Sequence, residues 1–514
     1  MMKIEKINTL GQLKKSKYIS KSIKDEVRDN LISSIQNKEN AFTGIMGYED
    51  TVIPDTERAI LSRHNILFLG LRGQAKTRMA RQMVDLLDEY IPIVAGSEVN
   101  DDPLNPLSKF AIDLIAEHGD DTPIKWLHRS ERYGEKLATP DVSVADLIGD
   151  IDPIKAANLK LSFSDEKVIH YGIIPRSNRG IFVINELPDL QARIQVSLFN
   201  ILQEGDIQIR GFKLRMPLDI LFVFTANPED YTNRGSIVTP LKDRIQSQIL
   251  THYPKSLETA LMITEQEAHI SDAQKDKVDV SDLIKRLVEQ VSFEARNNEY
   301  VDKKSGVSAR LTIAAYENAV SSAERRAIMH NEKKTQVWIS DLSGIIPSIT
   351  GKIELVYEGE QEGPYEVALN LLNKSIRTQF VQYFPNPELA KTKRNTGKKS
   401  AEQKAPENPY KAITAWFDGG NHLDLFLDMK DADKIANLYK VDGLYGIVKK
   451  HFPQANEMEA ALLMEFVLHG LSSFSLISKK MIDGKIEFKD LMGSIMNFGN
   501  LGFDEDDLSE SDYQ

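Results

Sequence analysis

Three short stretches are dominated by consecutive apolar residues: Ile66-Leu-Phe-Leu69, Gly180-Ile-Phe-Val-Ile184 and Asp219-Ile-Leu-Phe-Val-Phe-Thr-Ala226. Runs of this length with no polar alternation predict strands buried on both faces. Between them apolar residues recur at three- and four-residue intervals, over Met79–Leu87, Ser108–His118 and Ile194–Glu204, which predicts helices. Ile91-Pro-Ile-Val-Ala95 reads as one more short strand, residues 138–174 as a hairpin-bearing insertion, and Gly205 to Leu214 as a β-hairpin. Strands alternating with helices indicate a mostly parallel α/β sheet, whose ligands sit at the C-terminal strand ends.

The flanks follow other patterns. Residues 1–40 mix Lys, Ser and acidic residues with sparse Leu and Ile, and read as a solvated helical lead-in. A helix before the first strand is expected to start with Asp55 as its N-cap. From about residue 256 the spacing is purely helical, over 257–271, 278–297, 308–330 and 337–348, which predicts an all-α lid across 256–350. Residues 351–409 carry one more helix and then a Pro-, Ser- and Lys-rich linker with Lys391, Lys393, Arg394, Lys398 and Lys399. Residues 410–514 read as a mostly helical C-terminal module with an acidic tail. The α/β domain thus takes residues 41–255.

Composition narrows the function classes. The 514 residues carry a formal net charge of -12, which argues against a surface built mainly for nucleic acid. There is no cysteine, so disulfides, zinc–thiolate sites and thiol nucleophiles are excluded. The N-terminus lacks an apolar signal core, and no run approaches membrane-span length. The expectation is a cytoplasmic protein without a membrane segment.

The chemistry-bearing residues fall at the predicted strand ends. After Ile66–Leu69 comes Gly70-Leu-Arg-Gly73-Gln-Ala75-Lys76-Thr77-Arg78, with Gly70, Lys76 and Thr77 at phosphate-loop spacing and Ala75 where the second glycine is expected. Backbone N–H groups at such a turn wrap a phosphate, the lysine bridges the terminal phosphates, and the threonine hydroxyl ligates magnesium. If the backbone at Ala75 is left-handed, alanine costs roughly 1–2 kcal/mol there. If it is helical, the cost is small and the turn is stiffened. Glu186, just past the second strong strand, is the candidate general base that orients and polarises an attacking water. Asn185 stands where a magnesium-associated Asp is usual; it can orient a metal-bound water but adds no charge, unless another carboxylate compensates. Asn227 suits a γ-phosphate sensor, and Arg244 an arginine acting on a neighbouring subunit's nucleotide. His252 and His422 are expected to be structural.

Taken together, these segments resemble the AAA+ ATPases of the magnesium chelatase ATPase-subunit and MoxR group. Gly70–Thr77, Arg179-Gly-Ile-Phe-Val-Ile-Asn-Glu186, Thr225-Ala-Asn-Pro228 and Pro240-Leu-Lys-Asp-Arg244 match Walker A, Walker B, sensor 1 and arginine finger in order and spacing. Ser177-Asn-Arg-Gly180 is similar to the run this group carries before Walker B, and the two hairpin segments look like its helix-2 insert and pre-sensor hairpin. Gly306-Val-Ser-Ala-Arg310 resembles sensor 2, which implies a phosphate contact for Arg310. The resemblance covers residues 40–350 and departs from the pattern at Ala75 and Asn185. It implies a P-loop NTPase fold, ATP and Mg2+ as cofactors, a homo-oligomeric ring (a hexamer), and a von Willebrand factor A-type partner protein. The function it implies is remodelling of a partner protein or assistance to metal or cofactor insertion. Three other readings stay open: a nucleotide-gated scaffold with little or no hydrolysis, a true magnesium chelatase, and a transcription activator. The last is suggested by Ala41-Phe-Thr-Gly44, which looks like the polymerase-touching loop of such activators but precedes Walker A instead of following it.

Overall fold

A computed structural model describes residues 7–162, 165–209, 215–228, 235–388, 408–482 and 484–491. The basic linker cluster, the acidic tail and residues 210–214 of the expected Gly205 hairpin lie outside the described residues. Two compact units divide the chain, the first ending at Pro254 and the second beginning at Lys255.

The strands of the first unit are β1 (Ile66–Leu69), β2 (Tyr90–Val94), β3 (Ile124–His128), β4 (Tyr133–Leu137), β5 (Gly149–Ile151), β6 (Ile169–Tyr171), β7 (Gly180–Asn185), β8 (Asp206–Gln208), β9 (Arg215–Pro217), β10 (Ile220–Ala226) and β11 (Ser247–Leu250). Five form one sheet in the order β11-β1-β10-β7-β4, and every pairing in it is parallel. The three apolar runs are its centre. Side chains alternate across the pleat, so Leu67, Phe182, Phe222 and Phe224 pack on one face, while Ile66, Phe68, Val183 and Val223 pack on the other. Helices cover both faces, which is why these strands need no polar side.

Four sequence expectations change. The lead-in is not solvated: in the helix Ile23–Gln36, Ile23, Val27 and Leu31 are buried in the same cluster as Phe68 and Val223. Their spacing of four puts them on one face, and Glu26 on that helix pairs with buried Arg132 at 2.6 Å. The helix before β1 runs Val52–Leu61 with Thr51 at the N-cap, so Asp55 lies within its first turn and pairs with Arg58. Pro54 is tolerated there because first-turn N–H groups lack intrahelical partners. Strand β2 is outside the main sheet and pairs antiparallel with β3. The stretch Ile194–Glu204 is two short helices, Ala192–Ser197 and Phe199–Glu204.

The 138–174 segment does carry a hairpin, β5 against β6, enclosing a helix Pro153–Leu159. Strands β8 and β9 pair antiparallel. Three strands, β3, β4 and β11, go beyond the sequence expectation; β4 and β11 are the two outer edges of the parallel sheet.

In the second unit, helices Asp282–Asn297, Arg310–Met329, Pro364–Tyr383 and Glu457–Ser473 bury one continuous apolar cluster reaching from Val278 to Phe488. Residues assigned to the lid and to the C-terminal module share that core, because Pro364–Tyr383 packs against both Asp282–Asn297 and Glu457–Ser473. A three-stranded antiparallel sheet (Leu423–Phe426, Lys485–Lys489, Ser478–Ile482) interrupts the helical pattern. Among the described residues no helix is long and apolar enough to cross a membrane.

Candidate nucleotide site

The phosphate-loop residues leave β1 at its C-terminal end and enter the helix Lys76–Gln82. Gly70 is there for space: a Cβ would stand 2.0 Å from Thr251 Oγ1 and 2.2 Å from Gln74 Oε1. Those two atoms hydrogen-bond to each other at 2.7 Å, locking the loop to the end of β11. Gly73 has φ 72°, and Ala75, at the helix N-cap, has φ 54° and ψ 16°. The left-handed alternative for Ala75 is therefore the one realised, with its cost of roughly 1–2 kcal/mol. Tyr48 donates to the Gln74 carbonyl at 3.0 Å and Tyr253 to the Arg72 carbonyl at 2.9 Å, so tyrosine hydroxyls brace the loop from outside. His252 makes structural contacts, its Nδ1–H donating to the Tyr253 carbonyl at 2.8 Å and its Nε2 meeting the Thr51 hydroxyl at 2.8 Å.

Lys76 is 7% exposed. Its ammonium donates to the Gly70 carbonyl, to the Leu71 carbonyl at 2.9 Å and to Asn227 Oδ1 at 2.6 Å. The amide of Asn227 in turn donates to Glu186 Oε2 at 2.7 Å. Three sequence-predicted residues from three separate segments thus form one chain, Lys76–Asn227–Glu186. It exists because β1, β10 and β7 are adjacent and parallel, so their C-terminal ends meet. Glu186 is held with φ 56°, and its N–H donates to Thr225 Oγ1 at 3.2 Å. A non-glycine residue in this region is strained, and such strain concentrates at functional sites.

A second chain starts at Thr77. Its hydroxyl donates to Asn185 Oδ1 at 3.2 Å, as does that of Thr225 at 3.0 Å. The Asn185 amide then donates to Glu135 Oε1 at 2.6 Å. The carboxylate can only accept, so the amide nitrogen faces Glu135 and the oxygen faces the two hydroxyls. Glu135 also takes a two-pronged pair from Arg81, at 2.9 and 3.0 Å, and a bond from Tyr133 OH at 2.9 Å. Burial raises the Glu135 pKa, but hydrogen bonds from Arg81, Tyr133 and Asn185 outweigh it, and the net shift is downward. The carboxylate stays charged.

Glu135, Arg81 and Tyr133 are not among the residues the sequence singles out, and Thr225 enters there only as the first residue of the Thr225–Pro228 motif. Gly134 lets β4 approach β7, since a Cβ there would meet Phe182 Cδ2 at 2.8 Å and Ser177 Oγ at 2.3 Å. The only signal in the sequence is weak: Tyr133, Glu135 and Leu137 alternate with Gly134 and Lys136.

The remaining predicted residues sit apart. Arg78 is the third residue of the P-loop helix and half-buried. Arg244 ends the helix Thr239–Arg244, donates to Gln203 Oε1 at 3.0 Å and to the Pro240 carbonyl at 2.7 Å, and stacks 4.9 Å over the Phe199 ring. None of these contacts is with the P-loop residues of its own chain. Arg310 belongs to the second unit, exposed at the first residue of its helix.

As for a cation, no group of three or more His, Cys, Asp or Glu able to hold a metal exists among the described residues. The donors present are the Thr77 hydroxyl, the Asn185 carbonyl and the Glu135 carboxylate. All are hard oxygens, which suits Mg2+, an ion that keeps several waters and shares its shell with substrate phosphates.

A five-stranded parallel sheet with a P-loop after β1 and polar residues at the ends of β7 and β10 defines an AAA+ P-loop ATPase domain. The Sigma-54 interaction domain family matches residues 158–249, the segment holding Glu186, Asn227 and Arg244. The 38 kDa magnesium-chelatase subunit of Cereibacter sphaeroides is 26% identical over 211 residues, 40% of this chain and 57% of that protein. Its counterpart in Rhodobacter capsulatus is 24% identical over 226 residues, 43% of this chain and 59% of that protein. The chain thus spans less than two thirds of the length of these relatives. A cryo-EM-based structure of the complex between subunits BchI and BchD of magnesium chelatase shares 19% identity, covering 62% of this chain and 98% of that one, at a TM-score of 0.33. At that score no weight rests on the superposition. With the motifs in order, the chain is similar to the AAA+ ATPases of the magnesium chelatase and MoxR-like group.

Proposed function

We propose that this protein is a Mg-ATP-dependent ATPase that works in a homo-oligomeric ring, hexameric as the family resemblance implies, and remodels a partner protein or assists metal or cofactor insertion. The observation that carries the reading is the Lys76–Asn227–Glu186 chain, which ties the phosphate-binding lysine to the candidate base through one amide. With ATP in the loop, Lys76 and the backbone N–H groups of residues 73–78 bind the phosphates. Glu186 orients a water and accepts its proton as the water oxygen attacks the γ-phosphorus and the bond to ADP breaks. Asn227 reports the γ-phosphate to Glu186 because it bonds both Lys76 and Glu186. Thr77 and Asn185, with Glu135 behind them, would hold Mg2+, which when bound would supply charge neutralisation on the phosphates.

Arg244 supports the ring: an arginine whose contacts lie away from its own P-loop is placed to serve a neighbour's nucleotide. Arg310 is assigned a phosphate contact from the lid by the resemblance alone. A von Willebrand factor A-type partner fits the group, and a cytoplasmic location fits the composition. The transcription-activator reading is disfavoured by Phe42, which is fully buried in the core and not available as an exposed loop. The scaffold reading is favoured by one observation, the neutral Asn185.

ATP turnover measured alongside size-dependent assembly tests the proposal. Lys76→Ala is expected to abolish nucleotide binding, and Glu186→Gln to keep binding and lose about 10²–10⁴-fold in turnover. Wild-type turnover in Glu186→Gln sinks the base assignment. Assembly with bound ATP but no turnover in the native protein makes the scaffold reading correct.

A further inference from the structure

Asn185 is a neutral amide at the C-terminal end of β7, and a carboxylate on the neighbouring strand stands directly against it. The Asn185 amide donates to Glu135 on the adjacent strand at 2.6 Å, while its oxygen faces Thr77. We propose that Glu135 is a positioning residue that supplies, through Asn185, the negative charge for the nucleotide-bound divalent cation, so that the pair Asn185–Glu135 replaces a single aspartate. This rests on the nucleotide site described above.

The charge argument runs in both directions. An aspartate at 185 would set its second oxygen against the Glu135 carboxylate, and two carboxylates in hydrogen-bond contact cannot both ionise freely. Asn185 and Glu135 are therefore a matched pair: each makes sense only with the other. The amide passes on the carboxylate's polarity, since its N–H bond to an anion strengthens the negative end at Oδ1, which faces the Thr77 hydroxyl. Arg81, on the last turn of the P-loop helix, holds Glu135 by two bonds and offsets part of that charge. The guanidinium is 63% exposed while the carboxylate is 23% exposed, so the arginine is the partner water can displace.

The test is a charge swap read by cation affinity. In the full-length protein, Mn2+ binding in the presence of a non-hydrolysable ATP analogue is followed by electron paramagnetic resonance, and analogue binding in EDTA is measured separately. Glu135→Gln is expected to weaken Mn2+ by about 10–100-fold, the usual effect of removing an outer-shell partner. Metal-free analogue binding should stay as in the native protein. Asn185→Asp combined with Glu135→Gln is expected to restore Mn2+ affinity, whereas Asn185→Asp alone, with two facing carboxylates, is not. Unchanged Mn2+ affinity in Glu135→Gln overturns the inference, as does a double variant no better than Glu135→Gln. Absence of analogue binding in the native protein, with or without metal, overturns the nucleotide-site reading itself and so is distinguishable.

Discussion

Two clusters of polar and charged groups, one in each unit, are built in opposite ways. In the second unit Arg326 is 1% exposed and surrounded: Asp341 at 3.1 Å, Asp431, the Thr335 hydroxyl at 3.0 Å and the Gln336 carbonyl at 2.9 Å. Trp338 closes the ring by donating its indole N–H to Asp431 at 2.8 Å and its backbone N–H to Asp341 at 2.8 Å. Each partner is itself held by another. At the P-loop the charged groups stand at the C-terminal ends of parallel strands, and two backbone positions, Ala75 and Glu186, are held left-handed. A charge buried with every hydrogen bond satisfied fixes packing. A charge whose partners are amides and hydroxyls at a strand end can trade them for a ligand. That contrast separates architecture from chemistry here.

The comparison can be broken in four places. Arg326→Ala should be the most damaging, because it strands Asp341 and Asp431 as buried, unpaired carboxylates. A loss of about 3–5 kcal/mol is expected in urea unfolding of the second unit. Arg326→Lys should rescue little, since an ammonium lacks the planar fork that reaches both carboxylates. Lys76→Ala is next: the loss falls on function, with turnover reduced at least about 100-fold and unfolding shifted by less than about 1 kcal/mol. A destabilisation there as large as that of Arg326→Ala would erase the distinction.

The third place is Ala75. Ala75→Gly relieves roughly 1–2 kcal/mol of left-handed strain and gives back roughly 0.4–1 kcal/mol through the looser unfolded chain. Thermal unfolding should therefore show no loss and a small gain, while Ala75→Val, with a branched side chain in the same backbone, should lower the transition temperature. Equal behaviour of the two variants would mean the strain is not felt. The smallest effect is expected from Arg81→Ala. Its pair with Glu135 is solvent-screened on the arginine side and contributes about 0.2–1 kcal/mol to stability. Its consequence should appear in cation affinity instead of in unfolding.

Much of the nucleotide site is legible in the amino-acid sequence itself. Residues Ile66–Leu69, Gly180–Ile184 and Ile220–Ala226 are apolar at nearly every position because the sheet is covered on both faces. Their ends carry Lys76, Glu186 and Asn227 because parallel strands deliver their C-termini to one edge. At Ala75 the missing glycine leaves two backbone geometries open, and the fold selects the left-handed one.

What the chain alone does not disclose shares one physical cause. Strand β4 is a half-exposed edge carrying Gly134, Glu135 and Lys136, so burial imposes no clear pattern on it. The lead-in helix reads as solvated since three buried residues, spaced by four, are diluted among charges. Asn185 is legible as a departure, but its compensation by Glu135 requires two strands 50 residues apart in sequence to lie side by side, with Leu137 opposite Asn185. Local burial and turn geometry are written in short windows of sequence. Which carboxylate faces which amide is decided by sheet order, and only the tertiary structure sets that.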